Sequence, residues 1–126
     1  ALDCDVIQAD GGTRTAAITG GYVALALACR HLAEEGVISA SPLSAEVAAV
    51  SCGVHEETPV LDLDYAEDSA AAVDANFVMS SDGRLIEIQG TGEARAFTRA
   101  EFDALMDLAE RGCAQLFEAQ RRALGV

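Results

Sequence analysis

The first part of the chain carries two different patterns of apolar positions. Over residues 2–8, apolar and acidic side chains alternate, which predicts a half-buried strand. From about Thr15 the apolar residues recur at helical spacing, and Gly36 is well placed to end this helix. Because the helix is apolar on nearly every side as far as Arg30, we expect it to be central and covered on most sides.

The second part of the chain predicts four strands and a final helix. Ser81-Asp82-Gly83 is typical of a hairpin turn, and Thr98 with Glu101 forms the capping-box pattern that opens a helix. The whole order is strand, helix, four strands, helix. It indicates an α+β fold in which helices pack on a mixed or antiparallel sheet. The four predicted strands cover residues 46–54, 59–63, 74–79 and 84–89.

Length and composition describe a chain that can bury a core. It has 126 residues, of which 51% are hydrophobic and 23% charged, so it is far from the disordered class. No apolar run is long and uninterrupted enough to span a bilayer, the nearest being residues 22–29, and no secretory signal opens the chain. Since it starts without Met inside a predicted strand, we expect a piece of a longer protein; the alternative is a processed N-terminus.

Cysteine usage and charge bear on compartment and partners. Cys4, Cys29, Cys52 and Cys113 form no C-x-x-C pair, which favours buried reduced thiols in a cytoplasmic protein over disulfides or a zinc site. The net charge is −13 and the chain has no Lys. Taken alone, this charge argues against nucleic acid, because phosphate backbones favour basic surfaces.

A glycine-rich turn between the first predicted strand and helix is the first candidate site. Gly11-Gly12-Thr13-Arg14 would lie at a helix N-terminus, where unpaired N–H groups and the helix dipole favour anions. Thr13 could add a hydroxyl donor, and Arg14 a planar fork of donors. The spacing matches neither a P-loop nor G-x-G-x-x-G. Anion binding and a plain tight turn with a solvated Arg both remain open.

An acidic cluster is the second candidate site. In one straight strand, Asp68 and Asp74 would lie about 20 Å apart. A tight return over residues 69–72 would instead bring both carboxylates to one end of the sheet, where they could hold Mg²⁺ or Mn²⁺. The alternative is a solvated acidic loop. The cluster consists of Asp62, Asp64, Glu67, Asp68 and Asp74.

Three segments together resemble one family. DCDVIQADGGTRTAAITG, LDLDYAEDSAAAVDANFVM and GRLIEIQGTGE are similar, in order and spacing, to the C-terminal portion of bacterial ribonuclease PH. The resemblance implies that residues 1–126 are the C-terminal portion of a single domain, an α+β sandwich of the ribosomal-protein S5 domain 2 type with helices packed on a mixed sheet. It also implies a hexameric ring, built as a trimer of dimers, that uses inorganic phosphate to trim the 3′ ends of tRNA precursors and releases nucleoside diphosphates.

The same resemblance implies roles for five residues. Gly12, Thr13 and Arg14 would bind phosphate, the co-substrate, and Asp68 and Asp74 would be the catalytic carboxylates that hold Mg²⁺ or Mn²⁺. Either Asp74 or a metal-bound water would protonate the departing 3′ oxygen. In this family the N-terminal half supplies another phosphate-binding Arg and much of the basic RNA-binding surface. The shortage of basic residues here is therefore not an argument against RNA.

Two other functions compete with this one. A non-catalytic RNA-binding ring subunit of an exosome-like complex would usually have lost the phosphate-binding Arg or the acidic pair, and Arg14, Asp68 and Asp74 are all present. A small acidic metal-binding module would explain the carboxylates but not the glycine-rich turn.

Overall fold

Three helices and one four-stranded sheet make up the chain, and the computed structural model describes all 126 residues. A long helix comes first, a short helix separates two strand pairs, and a second long helix comes last. The elements are α1 (Thr13–Glu34), β1 (Val47–His55), β2 (Thr58–Leu61), α2 (Tyr65–Ala70), β3 (Val73–Ser80), β4 (Leu85–Gly92) and α3 (Arg99–Leu124).

The sheet is antiparallel throughout, with the strand order β2-β1-β3-β4. This confirms the predicted α+β class. The pattern allowed a mixed or an antiparallel sheet, and the sheet of this chain is antiparallel, not the mixed sheet expected for the family's fold. Side chains alternate between the two faces of each strand, so the apolar residues of β1 and β3 gather on one face. That face packs on α3 to form the core: Ala48, Val50, Cys52, Val54, Val73, Ala75, Phe77, Met79, Leu105, Ala109, Cys113 and Phe117.

Helix α3 has the predicted capping box and a close approach to the sheet. The Thr98 hydroxyl accepts from the Glu101 N–H at 3.2 Å, and the Glu101 carboxylate accepts from the Thr98 N–H at 2.7 Å. Where α3 crosses the sheet, a Cβ on Gly112 would lie 2.9 Å from the Leu61 side chain. Gly112 thus sets how closely the helix and β2 can pack.

Helix α1 lies against the part of the β1 edge that β2 leaves open. The Thr19 hydroxyl donates to the Ala49 carbonyl (3.2 Å) and accepts from the Ala49 N–H (3.0 Å), replacing a strand partner. The Gln120 amide of α3 donates to the carbonyls of Thr19 and Val47, at 2.9 and 2.8 Å. These bonds hold α1, β1 and α3 together at one corner of the sheet.

The prediction that α1 is covered on most sides is wrong for this chain. The helix presents one face to β1 and α3, and Leu25, Leu27 and Leu32 are exposed on its remaining surface. By length and composition alone, α1 is also long and apolar enough to cross a membrane, which the shorter apolar run seen in the sequence did not suggest. Core helices of soluble proteins meet the same criterion, so this is weak evidence for a membrane span.

The strand predicted over residues 2–8 is also wrong. The first ten residues are irregular and exposed, and they pair with neither edge strand of the sheet. An alternating pattern forms a strand only where a partner strand satisfies its backbone groups. Of the four cysteines expected to be buried, Cys29, Cys52 and Cys113 are buried and free, whereas Cys4 is exposed.

Candidate active site

The glycine-rich turn forms an uncapped helix N-terminus. Gly12 adopts the left-handed conformation (φ 69°, ψ 25°) immediately before the first helical residue, Thr13, and no side chain caps the helix. Successive left- and right-handed residues point their N–H groups into a common concavity that suits an anion. The first bond of the helix is from the Ala16 N–H to the Gly12 carbonyl, at 2.9 Å. The N–H groups of Thr13, Arg14 and Thr15 have no partner within the helix and are therefore available to an anion.

The glycine-rich turn is hydrogen-bonded to the start of α2. One Asp10 carboxylate oxygen accepts from its neighbour, the Gly11 N–H, at 2.8 Å, and from the Tyr65 N–H at 2.7 Å. A Cβ on Gly11 would lie 2.0 Å from the Leu63 carbonyl oxygen, so only glycine fits. Asp10 and Gly11 thereby connect the proposed anion-binding turn to the element that carries the acidic residues.

Hydroxyl groups stabilise the turn from within. Thr13 donates to the Asp10 carbonyl at 2.9 Å, so in this structure the hydroxyl predicted to contact an anion closes the turn. Thr15 donates to the Gly12 carbonyl at 2.8 Å. A Cβ on Gly12 would meet the Thr15 and Ser51 hydroxyl oxygens at 3.1 and 3.3 Å, which together with its positive φ strongly favours glycine.

Arg14 makes a two-pronged ion pair that the sequence did not reveal. Its Nη1 and Nη2 atoms donate to the two carboxylate oxygens of Glu87 on β4, at 2.7 and 3.1 Å. The hydrogen bonds from Arg14 lower the pKa of Glu87, and those to Glu87 raise the pKa of Arg14. The two residues lie 73 positions apart. The only sequence signal was an acidic residue among the apolar positions of a predicted strand.

Part of the acidic run forms a short helix, where the sequence left open a tight return over residues 69–72 or a solvated loop. Asp64 accepts from the Glu67 N–H at 2.8 Å, and Glu67 accepts from the Asp64 N–H at 3.0 Å, so these two carboxylates close a capping box. This accounts for part of the acidic cluster, because negative charge is favourable at a helix N-terminus. Asp68 lies in the same helix and is exposed. The return to β3 is thus made by α2.

Asp74 lies half-buried near the start of β3, opposite Gly53 and Thr91. Burial raises its pKa, and the nearby charges of Asp68 and Glu93 raise it further. The two predicted carboxylates therefore lie close enough to repel each other. Glu93, which the sequence did not single out, is held beside them by a bond from its N–H to the Ala72 carbonyl at 3.0 Å.

The donor set fits a Mg²⁺ or Mn²⁺ ion that also binds substrate. No group of three or more acidic, His or Cys side chains in the chain could enclose a metal ion. Mg²⁺, however, is usually held by one or two carboxylates and completes its shell with water and substrate phosphates. Asp68 and Asp74 would supply that number of carboxylates, and their mutual repulsion would be relieved by a cation.

The glycine-rich turn and the acidic pair lie over the same face of the sheet. Glu87, which holds Arg14, is opposite Val78, and Val78 is on the same face of β3 as Asp74. The two positions are four residues apart, or about 13 Å along the strand. The row between them contains Ser51, Asn76 and Gln89. This face can therefore present an anion site and a cation site to one extended substrate.

Comparisons with known proteins agree with this architecture. The family described as "3′ exoribonuclease family, domain 2" matches residues 45–112, more than half of the chain. A ribonuclease PH from Caulobacter vibrioides is 61% identical over 124 residues, 98% of this chain and 52% of the relative. One from Corynebacterium efficiens is 58% identical over 126 residues, 100% of this chain and 51% of the relative. The chain thus spans about half the length of the curated relatives it matches.

Two solved structures share the fold. Rice (Oryza sativa) Rrp46 superposes with a TM-score of 0.76 at 22% identity, covering 96% of this chain and 52% of that one. The Archaeoglobus fulgidus exosome with RNA bound to the active site gives a TM-score of 0.55 at 18% identity, over 69% of this chain and 35% of that one. At such low identity these structures support the fold alone. Together with the sequence matches, they confirm the resemblance to the C-terminal portion of ribonuclease PH: the chain belongs to the 3′ exoribonuclease family.

Proposed function

We propose that the protein containing this chain is a phosphate-dependent 3′-to-5′ exoribonuclease that trims tRNA precursors and releases nucleoside diphosphates. The observation that carries the proposal is the uncapped start of α1, with Arg14 beside it, over the sheet face that also holds Asp74. An anion site and a cation site on one face are what phosphorolysis of a phosphodiester requires. The ribonuclease PH relatives support the same activity.

At the anion end, the chain binds and orients inorganic phosphate. The free N–H groups after Gly12 and the guanidinium of Arg14 hold the phosphate, so that one of its oxygens faces the terminal phosphodiester of the RNA. Attack forms a bond from this oxygen to the phosphorus and breaks the bond to the 3′ oxygen of the preceding nucleotide. The terminal nucleotide leaves as a nucleoside diphosphate. The same donors stabilise charge on the reacting phosphates.

At the other end, Asp68 and Asp74 serve the leaving group. When bound, Mg²⁺ or Mn²⁺ supplies positive charge that offsets the charge developing on the transferred phosphoryl group. The departing 3′ oxygen must gain a proton, which either Asp74 or a water held by the ion would deliver. Burial, and after it the negative charges of Asp68 and Glu93, raise the pKa of Asp74.

RNA binding and assembly depend on the rest of the protein. With a net charge of −13, this chain repels a phosphate backbone everywhere except at its few Arg residues. The basic RNA-binding surface therefore comes from the remainder of the protein, and the active unit is a homohexameric ring in the cytoplasm.

A phosphate-dependence assay tests the proposal. The complete protein is incubated with Mg²⁺ and a tRNA precursor that carries extra 3′ nucleotides, with and without inorganic phosphate. We expect shortening only with phosphate, and nucleoside diphosphates as the products. Shortening without phosphate, or release of nucleoside monophosphates, would mean hydrolysis and refute the proposal. Binding of the RNA without any shortening would favour the non-catalytic ring subunit.

A further inference from the structure

We infer that Glu87 is a positioning residue for phosphate: it fixes the guanidinium plane of Arg14 and leaves one edge of that group for the incoming phosphate. The inference rests on the proposed phosphate-binding role of Arg14 and adds a residue to that site. Glu87 belongs to β4, at the far edge of the sheet from the strand that α1 contacts. The ion pair thus draws the Arg14 side chain across the sheet face towards β4.

The pair is unsuited to a purely stabilising role. The Arg14 and Glu87 side chains are 52% and 35% exposed, and ion pairs this accessible to water contribute little to stability. A two-pronged pairing does, however, impose a defined orientation, because both prongs must be aligned at once. Glu87 therefore contributes to the orientation of the Arg14 guanidinium and adds little to stability. An unpaired Arg at an exposed helix start would sample many rotamers.

The geometry leaves room for a second anion. A guanidinium carries five N–H groups, and Glu87 engages one on each terminal nitrogen. The Nε–H and the terminal N–H that runs parallel to it form a second edge, which is also a two-pronged donor for an oxyanion. Phosphate can occupy this edge while Glu87 keeps the other. The Glu87 carboxylate partly offsets the positive charge of Arg14, but it also holds the free N–H donors of Arg14 in the orientation that phosphate binding needs.

Positioning and charge compensation predict opposite results. If Glu87 positions Arg14, Glu87→Gln in the complete protein lowers kcat/KM for inorganic phosphate by roughly ten- to a hundredfold, as expected for a misplaced reactant, while the KM for RNA stays unchanged. Glu87→Asp keeps the charge but shortens the reach, and its effect should be intermediate. If Glu87 only neutralises Arg14, its removal raises kcat/KM for phosphate, and that result, or an unchanged kcat/KM, overturns the inference.

Two controls separate this inference from loss of fold and from failure of the proposed function. Glu57→Gln removes another solvent-accessible ion pair, with Arg95, and should leave kcat/KM for phosphate unchanged. Arg14→Lys cannot present two edges and should abolish normal phosphate dependence. If Arg14→Lys behaves like the unmodified protein, the phosphate role of Arg14 itself is wrong. If only the Glu87 variants behave normally, the proposed function stands and the positioning role falls.

Discussion

At Gly11, the absence of a side chain allows the glycine-rich turn to lie directly on the backbone that leads into α2. The Leu63 carbonyl occupies the space that a Cβ would need, and Asp10 bonds to both segments. Gly20, in the middle of α1, has no neighbour within 4 Å of the corresponding position. The two glycines therefore form a matched pair for the same substitution.

We expect Gly11→Ala and Gly20→Ala to have opposite effects on the free energy of unfolding of the complete protein. Gly11→Ala overpacks a backbone contact and should cost about 2–3 kcal/mol, with loss of phosphorolysis. Gly20→Ala should stabilise the helix by about 0.5–1 kcal/mol and preserve activity. Thermal or denaturant unfolding and the phosphate-dependence assay measure both. Normal activity in Gly11→Ala would show that the turn need not contact α2.

We expect the ionised Asp74 side chain to lower the stability of the fold although it is needed for activity. The pKa of Asp74 is raised in the folded protein, so above that pKa the ionised side chain lowers the free energy of unfolding. This destabilisation disappears once the pH falls below 3.8, the ordinary pKa of the group. Asp74→Asn should therefore raise the melting temperature at pH 7 and leave it unchanged near pH 3. It should also abolish turnover but retain RNA binding, since the amide keeps the packing and loses the charge.

Added Mg²⁺ provides an independent measurement at the same residue. The ion should raise the melting temperature of the unmodified protein, because it relieves repulsion among Asp68, Asp74 and Glu93. The gain should be smaller in Asp74→Asn. An equal gain in both proteins would place the cation elsewhere, and full Mg²⁺-dependent activity in Asp74→Asn would exclude both proposed roles.

At the scale of the elements, a network of ion pairs stabilises the N-terminus of α3. Arg95 donates to Glu101 at 2.7 Å and to Glu57 at 3.0 Å, and thus connects the capping box to the turn between β1 and β2. Hydrogen bonds from Arg95 and from Thr98 lower the pKa of Glu101 to about 2. The carboxylate of Glu101 consequently stabilises both the helix start and the neighbouring turn.

This network predicts how stability depends on pH. Because the pKa of Glu101 falls from 4.5 in its ordinary state to about 2, its contribution is fully present above pH 4.5 and disappears as the pH falls towards 2. Glu101→Gln should lower the melting temperature at pH 7, and this difference should shrink below pH 4. Asp103→Asn, which breaks the exposed pair with Arg99 on the same helix, should have little effect at any pH. Equal effects of the two substitutions would contradict the special role of Glu101.

At the scale of the whole molecule, this chain leaves two apolar surfaces open. One is on α1 and the other on the edge strand β4, which also offers unpaired backbone groups. Wide apolar surfaces of this kind promote association. The exposed large apolar residues of these two elements are Leu25, Leu27, Leu32, Leu85, Ile86 and Ile88.

We expect the isolated 126-residue chain to self-associate or to be inactive, and the complete protein to form a single oligomeric species. Light scattering and sedimentation at several concentrations measure the association. Leu27→Glu, at an exposed position of α1, should shift the isolated chain towards smaller species. A monodisperse monomer that degrades RNA in the presence of phosphate would refute the expectation.

The local pattern of apolar, polar and glycine residues by itself determined most of the helices, strands and turns of this protein. The period of α3, the capping box at Thr98, the hairpin at Gly83 and the glycine turn before α1 all depend on residues within a few positions of one another. Such interactions can be read from short segments. The same patterns failed at residues 2–8, where strand formation depends on a partner that no local sequence specifies.

Only the tertiary structure decided which functional groups meet. The pairing of Arg14 with Glu87 depends on the register of β4 against β3 and on where α1 meets β1. The repulsion between Asp68 and Asp74 depends on the helical turn of α2, which the acidic composition did not suggest. These contacts join residues far apart in the chain, and they form only when the apolar face of the sheet is buried under α3. Long-range packing, which sequence periodicity does not encode, therefore assembled the candidate site.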